Sequence, residues 1–168
     1  ADLIIKSPGI PNNIEIIKKV KNEIIPIISE IEFASWFTNS NIMALTGSNG
    51  KTTTVQLLHE MCLSDGKTSL LGGNVGIPFS ENVLLELTSN FKSIIHVLEL
   101  SSFQLEHIFH FSPNISGLLN ISEDHMDRYN SFDEYIEKKL ILAKHTKLNG
   151  SVIYNQDDPI LQKQLANI

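Results

Sequence analysis

The chain has 168 residues, 42% apolar and 19% charged, with a formal charge of -6 at neutral pH. That composition is enough for one sizeable core and excludes a disordered or fibrous chain. The acidic balance and the scattered Lys and Arg residues argue against a nucleic-acid partner, which demands a clustered basic face.

In chain order, the apolar run 2-DLIIKSPGIP-11 reads as a strand entering a Pro/Gly turn, and residues 34–40 as a linker. Asn41 to Thr46 is a predicted strand, and Lys51 to Leu63 carries a helical pattern with Val55, Leu58 and Cys62 on one face. Lys67 to Leu71 is a short strand, Glu81 to Leu87 a helix, and Ser93 to Leu100 an apolar run of the kind buried on both faces. Asn114 to Ile121 is another such strand, Ser131 to His145 a helix with Ser131 as its N-cap, and Ser151 to Asn155 a further strand before a short helical stretch. This alternation predicts an α/β fold with a mostly parallel sheet covered by helices on both faces. Residues 1–37 read as the tail of a preceding domain and 38–168 as the main one. With no initiator Met at Ala1, the chain is expected to be a piece of a longer protein.

Cys62, the lone cysteine, sits among Leu57, Leu58, Met61 and Leu63 and reads as a buried apolar residue. No apolar run approaches the roughly 18 residues of a membrane span, and no basic-then-apolar leader is present, so a cytoplasmic location is expected.

Three stretches carry chemistry, each at the carboxyl end of a predicted strand, where ligands gather in α/β sheets. In 46-TGSNGKTTT-54, Gly47 and Gly50 allow close backbone approach at a helix start, Lys51 supplies a point charge for outer phosphates, and Thr52 a hydroxyl for a metal ion. Only Ser48 and Asn49 separate the two glycines, two residues fewer than in the common nucleotide loop. In 97-VLELSSFQLE-106, Glu99 delivers a carboxylate to the same edge, suited to magnesium, whereas Glu106 is expected on the surface. In 120-NISEDHMDRY-129, Asp124, His125 and Asp127 can ligate metal or orient substrate, and Arg128 can bind an anion or cap the site. His59, His96, His107, His110 and His145 read as structural.

The short loop 46-TGSNGKTTT-54 resembles the ATP loop of the Mur ligases. The stretches 7-SPGIP-11, 30-EIE-32, 73-GNVGIP-78, 98-LELSSFQLE-106 and 119-LNISEDHMDRY-129 extend the resemblance along essentially the whole chain, most closely to the D-glutamate-adding branch. Ser48, where Thr is common, and Ser29, where Gly usually precedes Glu-Ile-Glu, are the departures.

The resemblance implies the end of a UDP-substrate-binding domain followed by part of a phosphate-loop central domain, with a C-terminal amino-acid-binding domain outside these residues. It implies ATP-driven amide formation through an acyl phosphate, with UDP-N-acetylmuramoyl-L-alanine, D-glutamate and ATP as partners, in a monomeric full-length protein. Gly47, Ser48, Asn49, Gly50, Lys51, Thr52 and Thr53 would bind ATP. Of two magnesium ions, Thr52 and Glu99 would hold one, and His125 would help hold the second with a carboxylated lysine. That lysine falls at Lys139 in 135-YIEKKLILAK-144, with Lys138 the alternative. Ser7, Gly9, Asn74 and Ser101 match substrate-binding positions. Other readings are another Mur ligase, a folylpolyglutamate synthetase, a phosphate-loop ATPase or kinase without ligase activity, or a nucleotide-binding fragment without catalysis.

Overall fold

The computed structural model describes residues 1–166; the last two residues of the expected central domain lie outside the described residues. Strand β1 (Ile4–Lys6), helix α1 (Glu15–Asn22) and strand β2 (Ile27–Ser29) form a small parallel unit, with Ile17, Val20 and Ile27 as its own apolar core. The predicted first strand is present, whereas the helix and second strand went unassigned because they are short.

Helix α2 (Glu30–Ser35) follows at once, its N-cap Ser29 accepting from the Glu32 N–H at 3.2 Å. Ala34 and Ser35, expected in a linker, complete this helix, because Ile31 and Ala34 are buried in the core of the main sheet. The connection to the main sheet is therefore confined to residues 36–40. Glu32 is fully buried, and its carboxylate accepts from the N–H groups of Phe109, His110 and Phe111 at 2.8 to 3.0 Å and from Trp36 Nε1 at 2.8 Å. Burial alone would raise its pKa, but these donors together hold it below the usual carboxylate value.

The main sheet has five parallel strands. Strand β3 (Asn41–Thr46) leads through residues 47–50 into helix α3 (Lys51–Ser64), followed by β4 (Thr68–Gly73), α4 (Phe79–Thr88) and β5 (Ile94–Glu99). A one-turn helix, α5 (Ser102–Leu105), then β6 (Ile115–Leu118), α6 (Phe132–Lys144), β7 (Ser151–Tyr154) and α7 (Pro159–Leu165) complete the order. The spatial order β4-β5-β3-β6-β7 is parallel throughout, as the alternation of elements predicts. β5, β3 and β6 lie inside the sheet, which is why their sequences are almost uninterrupted apolar runs. β6 ends at Leu118, three residues before the expected end, because Asn120 and Ser122 bond to the loop after β3, and Ile121 to Asp158, instead of extending the ladder.

Helices cover the two faces unequally. α2, α4, α6 and α7 pack on one face, through Ala44, Leu98, Phe79 and Leu142 and through Leu118, Tyr135, Leu140 and Leu161. α3 covers the other, with Val55 against Leu45 and Val97. Beyond α3 that face opens into an apolar groove of about 550 Å³, lined by residues that include Met43, Leu58, Ile115, Gly117 and Ile153 and by none of Lys51, Glu99, His125 or Lys139. Cys62, near the end of α3, is buried, as expected.

Glu32→Gln is expected to lower stability at neutral pH and to blunt the acid-side loss. A carboxylate with a depressed folded pKa adds stability that is complete above its unfolded value, near 4.5, and is lost as pH falls through the folded value. Urea midpoints between pH 3 and 7 should converge for wild type and variant toward the acid end; parallel curves would contradict this account.

Candidate active site

Parallel register brings the strand ends to one edge. Leu45 stands opposite Glu99, and Glu99 opposite Gly73, so the loop after β3, the end of β5 and the turn after β4 converge. Gly73 is required there: at φ +102 its backbone passes so close to Glu99 that a Cβ would sit 2.3 Å from the Glu99 carbonyl oxygen. The following Asn74 N–H donates to that same oxygen at 2.8 Å.

The phosphate-type loop ends on Gly50 at φ +79, the left-handed N-cap of α3. Asn120 braces it from the end of β6, accepting from the Asn49 N–H at 2.8 Å and donating to the Asn49 carbonyl at 3.0 Å. The Ser48 N–H donates to the Asn120 carbonyl, and the Ser48 hydroxyl donates to the Ser122 carbonyl at 2.9 Å and accepts from the Ser122 N–H at 3.0 Å. Ser48 and Asn49 thus spend their N–H groups within the protein. The N–H groups of Gly50, Lys51, Thr52 and Thr53 have no acceptor among the described residues and form the open end of the helix, the arrangement that receives an anion. Asn120 was missed as a site residue; an amide directly after an apolar strand, facing a glycine loop, is the signal that could have found it.

Glu99 is 2% exposed, and among the described residues no cationic side chain lies within 4 Å of its carboxylate. Its Oε2 accepts from Thr52 Oγ1 at 2.7 Å and its Oε1 from Asn74 Nδ2 at 2.8 Å. Two neutral donors leave carboxylate lone pairs free, and a buried carboxylate so placed beside a helix N-terminus fits a magnesium ion shared with phosphate. Among the described residues no three His, Cys, Asp or Glu side chains gather as a metal cage.

Lys51 curls back, donating to the carbonyls of Gly47 at 2.8 Å and Ser48 at 3.0 Å. Lys139 reaches the same Gly47 carbonyl at 2.8 Å from α6, on the opposite face of the sheet from α3. The two ammonium groups therefore lie no farther apart than twice that bond. Lys139 is 2% exposed, with the Tyr135 ring 4.8 Å from its Nζ. Burial, then the Lys51 charge, lower its pKa to about 7, with Asp124 opposing. At neutral pH about half of such lysines are neutral, against roughly one in three thousand at an ordinary value. Lys138 is partly exposed on the same helix, so inward placement falls to Lys139 alone.

His125 occupies a left-handed conformation, φ +55, in the loop after β6. Its Nε2 is 3.4 Å from Asp124 Oδ2, and its ring packs 5.1 Å from Phe103. No hydrogen bond or ion pair joins it to Glu99 or Lys139 among the described residues. Asp127 is exposed, and Arg128 donates to the Pro8 carbonyl at 3.4 Å, which brings the Ser7-Pro8-Gly9 turn opposite the same loop. Ser7 and Gly9 are exposed. Ser101 is the N-cap of α5, in a reciprocal capping box with Gln104. Glu106, expected on the surface, is half-buried and accepts from Asn12 Nδ2 at 3.1 Å, because the N-terminal unit folds over it. The other histidines hold structural contacts: His96 with Glu86 at 2.8 Å, His59 with Ser69 at 2.8 Å, His110 with Glu32 at 3.1 Å and His145 with the Phe111 carbonyl at 3.2 Å. His107 lies half-buried beside the N-terminal unit, its carbonyl accepting from Ser29 N–H.

The family model described as Mur ligase middle domain matches residues 45–168. The chain belongs to the Mur ligase family. It is 44% identical over 167 residues to a protein of Chlorobaculum tepidum named UDP-N-acetylmuramoylalanine--D-glutamate ligase, covering 96% of this chain and 35% of that protein. A protein of Bacteroides thetaiotaomicron with the same name is 40% identical over 99% of this chain and 36% of its own length. The chain thus spans about a third of the length of the curated relatives it matches. Among solved structures, the Mur ligase fold recurs in a MurF ligase of Thermotoga maritima in complex with ADP (TM-score 0.61, 17% identity, 98% of this chain and 44% of that one). It recurs also in the UDP-N-acetylmuramate:L-alanyl-gamma-D-glutamyl-meso-diaminopimelate ligase of Neisseria meningitides (TM-score 0.68, 18% identity, 100% and 56%).

The Lys139 environment has a pH signature. A lysine whose folded pKa is depressed leaves the unfolded state the better proton binder between the two values, so stability rises with pH from about 7 to 10.5. In CO₂-free buffer, Lys139→Met should flatten that rise in denaturation midpoints. An unchanged slope would show that Lys139 is not held neutral by burial.

Proposed function

We propose that the longer protein containing this chain is an ATP-dependent ligase that joins UDP-N-acetylmuramoyl-L-alanine to D-glutamate, a step in building the cell-wall peptidoglycan in the cytoplasm. The observation that carries this reading is the chain Thr52–Glu99–Asn74. It ties the open helix N-terminus to a buried carboxylate and to the turn after β4, so nucleotide and acceptor sites share one group. The names of the relatives supply the substrates.

In this reading the triphosphate lies on the N–H groups of Gly50 to Thr53, over Gly47, Ser48 and Asn49. The substrate carboxylate must approach the γ-phosphate, and two unit charges of like sign about 4 Å apart repel by about 4 kcal/mol at an effective dielectric near 20. Lys51 exchanges its loop carbonyls for phosphate and offsets that repulsion as charge builds. The carboxylate oxygen bonds to phosphorus as the bond to ADP breaks, giving an acyl phosphate. The D-glutamate amine then attacks the acyl carbon, loses a proton and expels phosphate.

Thr52 and Glu99 would hold one magnesium ion, and His125 with Lys139 as its carbamate a second; such ions neutralise phosphate charge and polarise the transferred group. The half-neutral state of Lys139 supports CO₂ capture, since only a neutral amine reacts. Asn74 and Ser101 face the muramoyl-alanine part, and Ser7 and Gly9 the UDP-sugar. Residues 1–37 would close the UDP-substrate domain and 38–168 form most of the ATP-binding domain. A C-terminal domain would bring D-glutamate, and the whole would act as a monomer.

Lys51→Ala in the full-length protein should lower phosphate release about 10² to 10³-fold with little change in thermal stability. Release should require ATP, the muramoyl substrate and D-glutamate together. Turnover of Lys51→Ala near that of wild type would remove Lys51 from the phosphate site, and phosphate release by wild type without an acceptor would favour a plain phosphate-loop ATPase. Lys139→Ala should likewise abolish release and recover partly in acetate, which fills the anion's place, whereas Lys138→Ala should be nearly silent. Full activity of Lys139→Ala would remove the carbamate from the account.

A further inference from the structure

Phe103 has no role in the chemistry described above, yet three groups of the site meet its ring. The His125 imidazole lies 5.1 Å from it, tilted by 55°. The Arg128 guanidinium carbon lies 4.3 Å above its centroid. Tyr129 stacks on it at 5.8 Å and 9°, and Tyr129 in turn meets Tyr135 at 5.4 Å. Tyr135 contacts the Ser48 hydroxyl at 3.1 Å and receives the Lys139 ammonium over its face. An unbroken row of rings thus runs from His125 to the phosphate-type loop.

Two features show that this ring is fixed and that something must fix His125. α5, which carries Phe103 as its second residue, follows closely on the Glu99 strand end and is locked by the reciprocal bonds of Ser101 and Gln104. His125 holds a left-handed backbone conformation that a residue with a Cβ keeps only where its surroundings impose it. Among the described residues its side chain has one polar contact, Asp124, at 3.4 Å and about half exposed. An exposed ion pair of that kind is too weak to hold a ring in place.

We propose that Phe103 is a positioning residue: its ring seats His125 and Arg128, setting the orientation in which the 122–128 loop presents the imidazole to the site. Aromatic packing and the cation over the ring face share one platform, so losing the ring frees both side chains. The inference rests on the assignment of His125 to a metal site made under Proposed function.

The test uses the full-length protein and the variants Phe103→Leu, Phe103→Tyr, His125→Ala and the double variant Phe103→Leu/His125→Ala. Phosphate release titrated with magnesium should show a half-saturating concentration raised about tenfold by Phe103→Leu, the usual effect of removing a group that orients a ligand. Phe103→Tyr should restore it, and the double variant should be no worse than His125→Ala alone. In metal-free protein the His125 ring-proton resonances, assigned by their loss in His125→Ala, should move toward solvent-exposed values in Phe103→Leu and stay in Phe103→Tyr. Should Phe103→Leu fail to fold, Phe103→Met is read by the same titration and spectra. Unchanged resonances, or additive effects in the double variant, would overturn the proposal. If His125→Ala leaves the magnesium dependence untouched while the resonances respond to Phe103, the metal assignment of His125 fails and the seating of the ring survives.

Discussion

Everything at this site depends on a buried carboxylate, Glu99, that pairs with no cation among the described residues. Glu99 reaches the carboxyl edge because β5 is apolar up to its last residue, and the register with β3 and β4 fixes where that residue stands. Burying a charge without compensation is costly, and two neutral donors, Thr52 and Asn74, compensate it only in part. The unmet demand is directional, since the free lone pairs lie beside the open N-terminus of α3. This imbalance is what the proposed cation would relieve, and the same two donors tie the start of α3 and the turn after β4 to one carboxylate.

A complementary imbalance sits on the other side of the loop. The Gly47 carbonyl accepts from both Lys51 and Lys139, so two cations crowd one neutral oxygen. Lys51 can leave by extending toward solvent, while Lys139 is enclosed by α6 and Tyr135 and can relieve the repulsion only by losing its proton. A single peptide group therefore assigns the two lysines different chemistry: one remains a mobile charge, and the other is pressed toward the neutral amine. The loop is gripped from both faces of the sheet, by Glu99 through Thr52 on one and by Lys139 on the other.

Much of this was legible in the sequence. Parallel order followed from strand and helix alternation, and the three chemistry-bearing stretches announced themselves by standing after apolar runs. Lys51, Thr52 and Glu99 could be placed by type and spacing, because a helix start and a strand end fix backbone direction. Lys139 could not: its inward aim depends on how α6 packs, and a lysine on a helix reads as solvated until its neighbours are known. Asn120 and Phe103 were hidden for a related reason, since their roles lie in contacts between segments distant in sequence. Glu32 and Glu106 look like ordinary surface acids in a linear chain. Each is covered by a segment far away, through three successive backbone N–H groups for Glu32 and through Asn12 for Glu106.

The proposal that Glu99 helps to hold a cation arriving with phosphate can be measured apart from turnover. ATP binding to the full-length protein should be followed by calorimetry with and without magnesium, in wild type and in Glu99→Gln. The account predicts that magnesium tightens binding to wild type, and that the variant keeps the metal-free affinity, set by Gly50 to Thr53, but loses the tightening. An equal gain from magnesium in both proteins would show that Glu99 only secures Thr52 and Asn74, and would contradict the account.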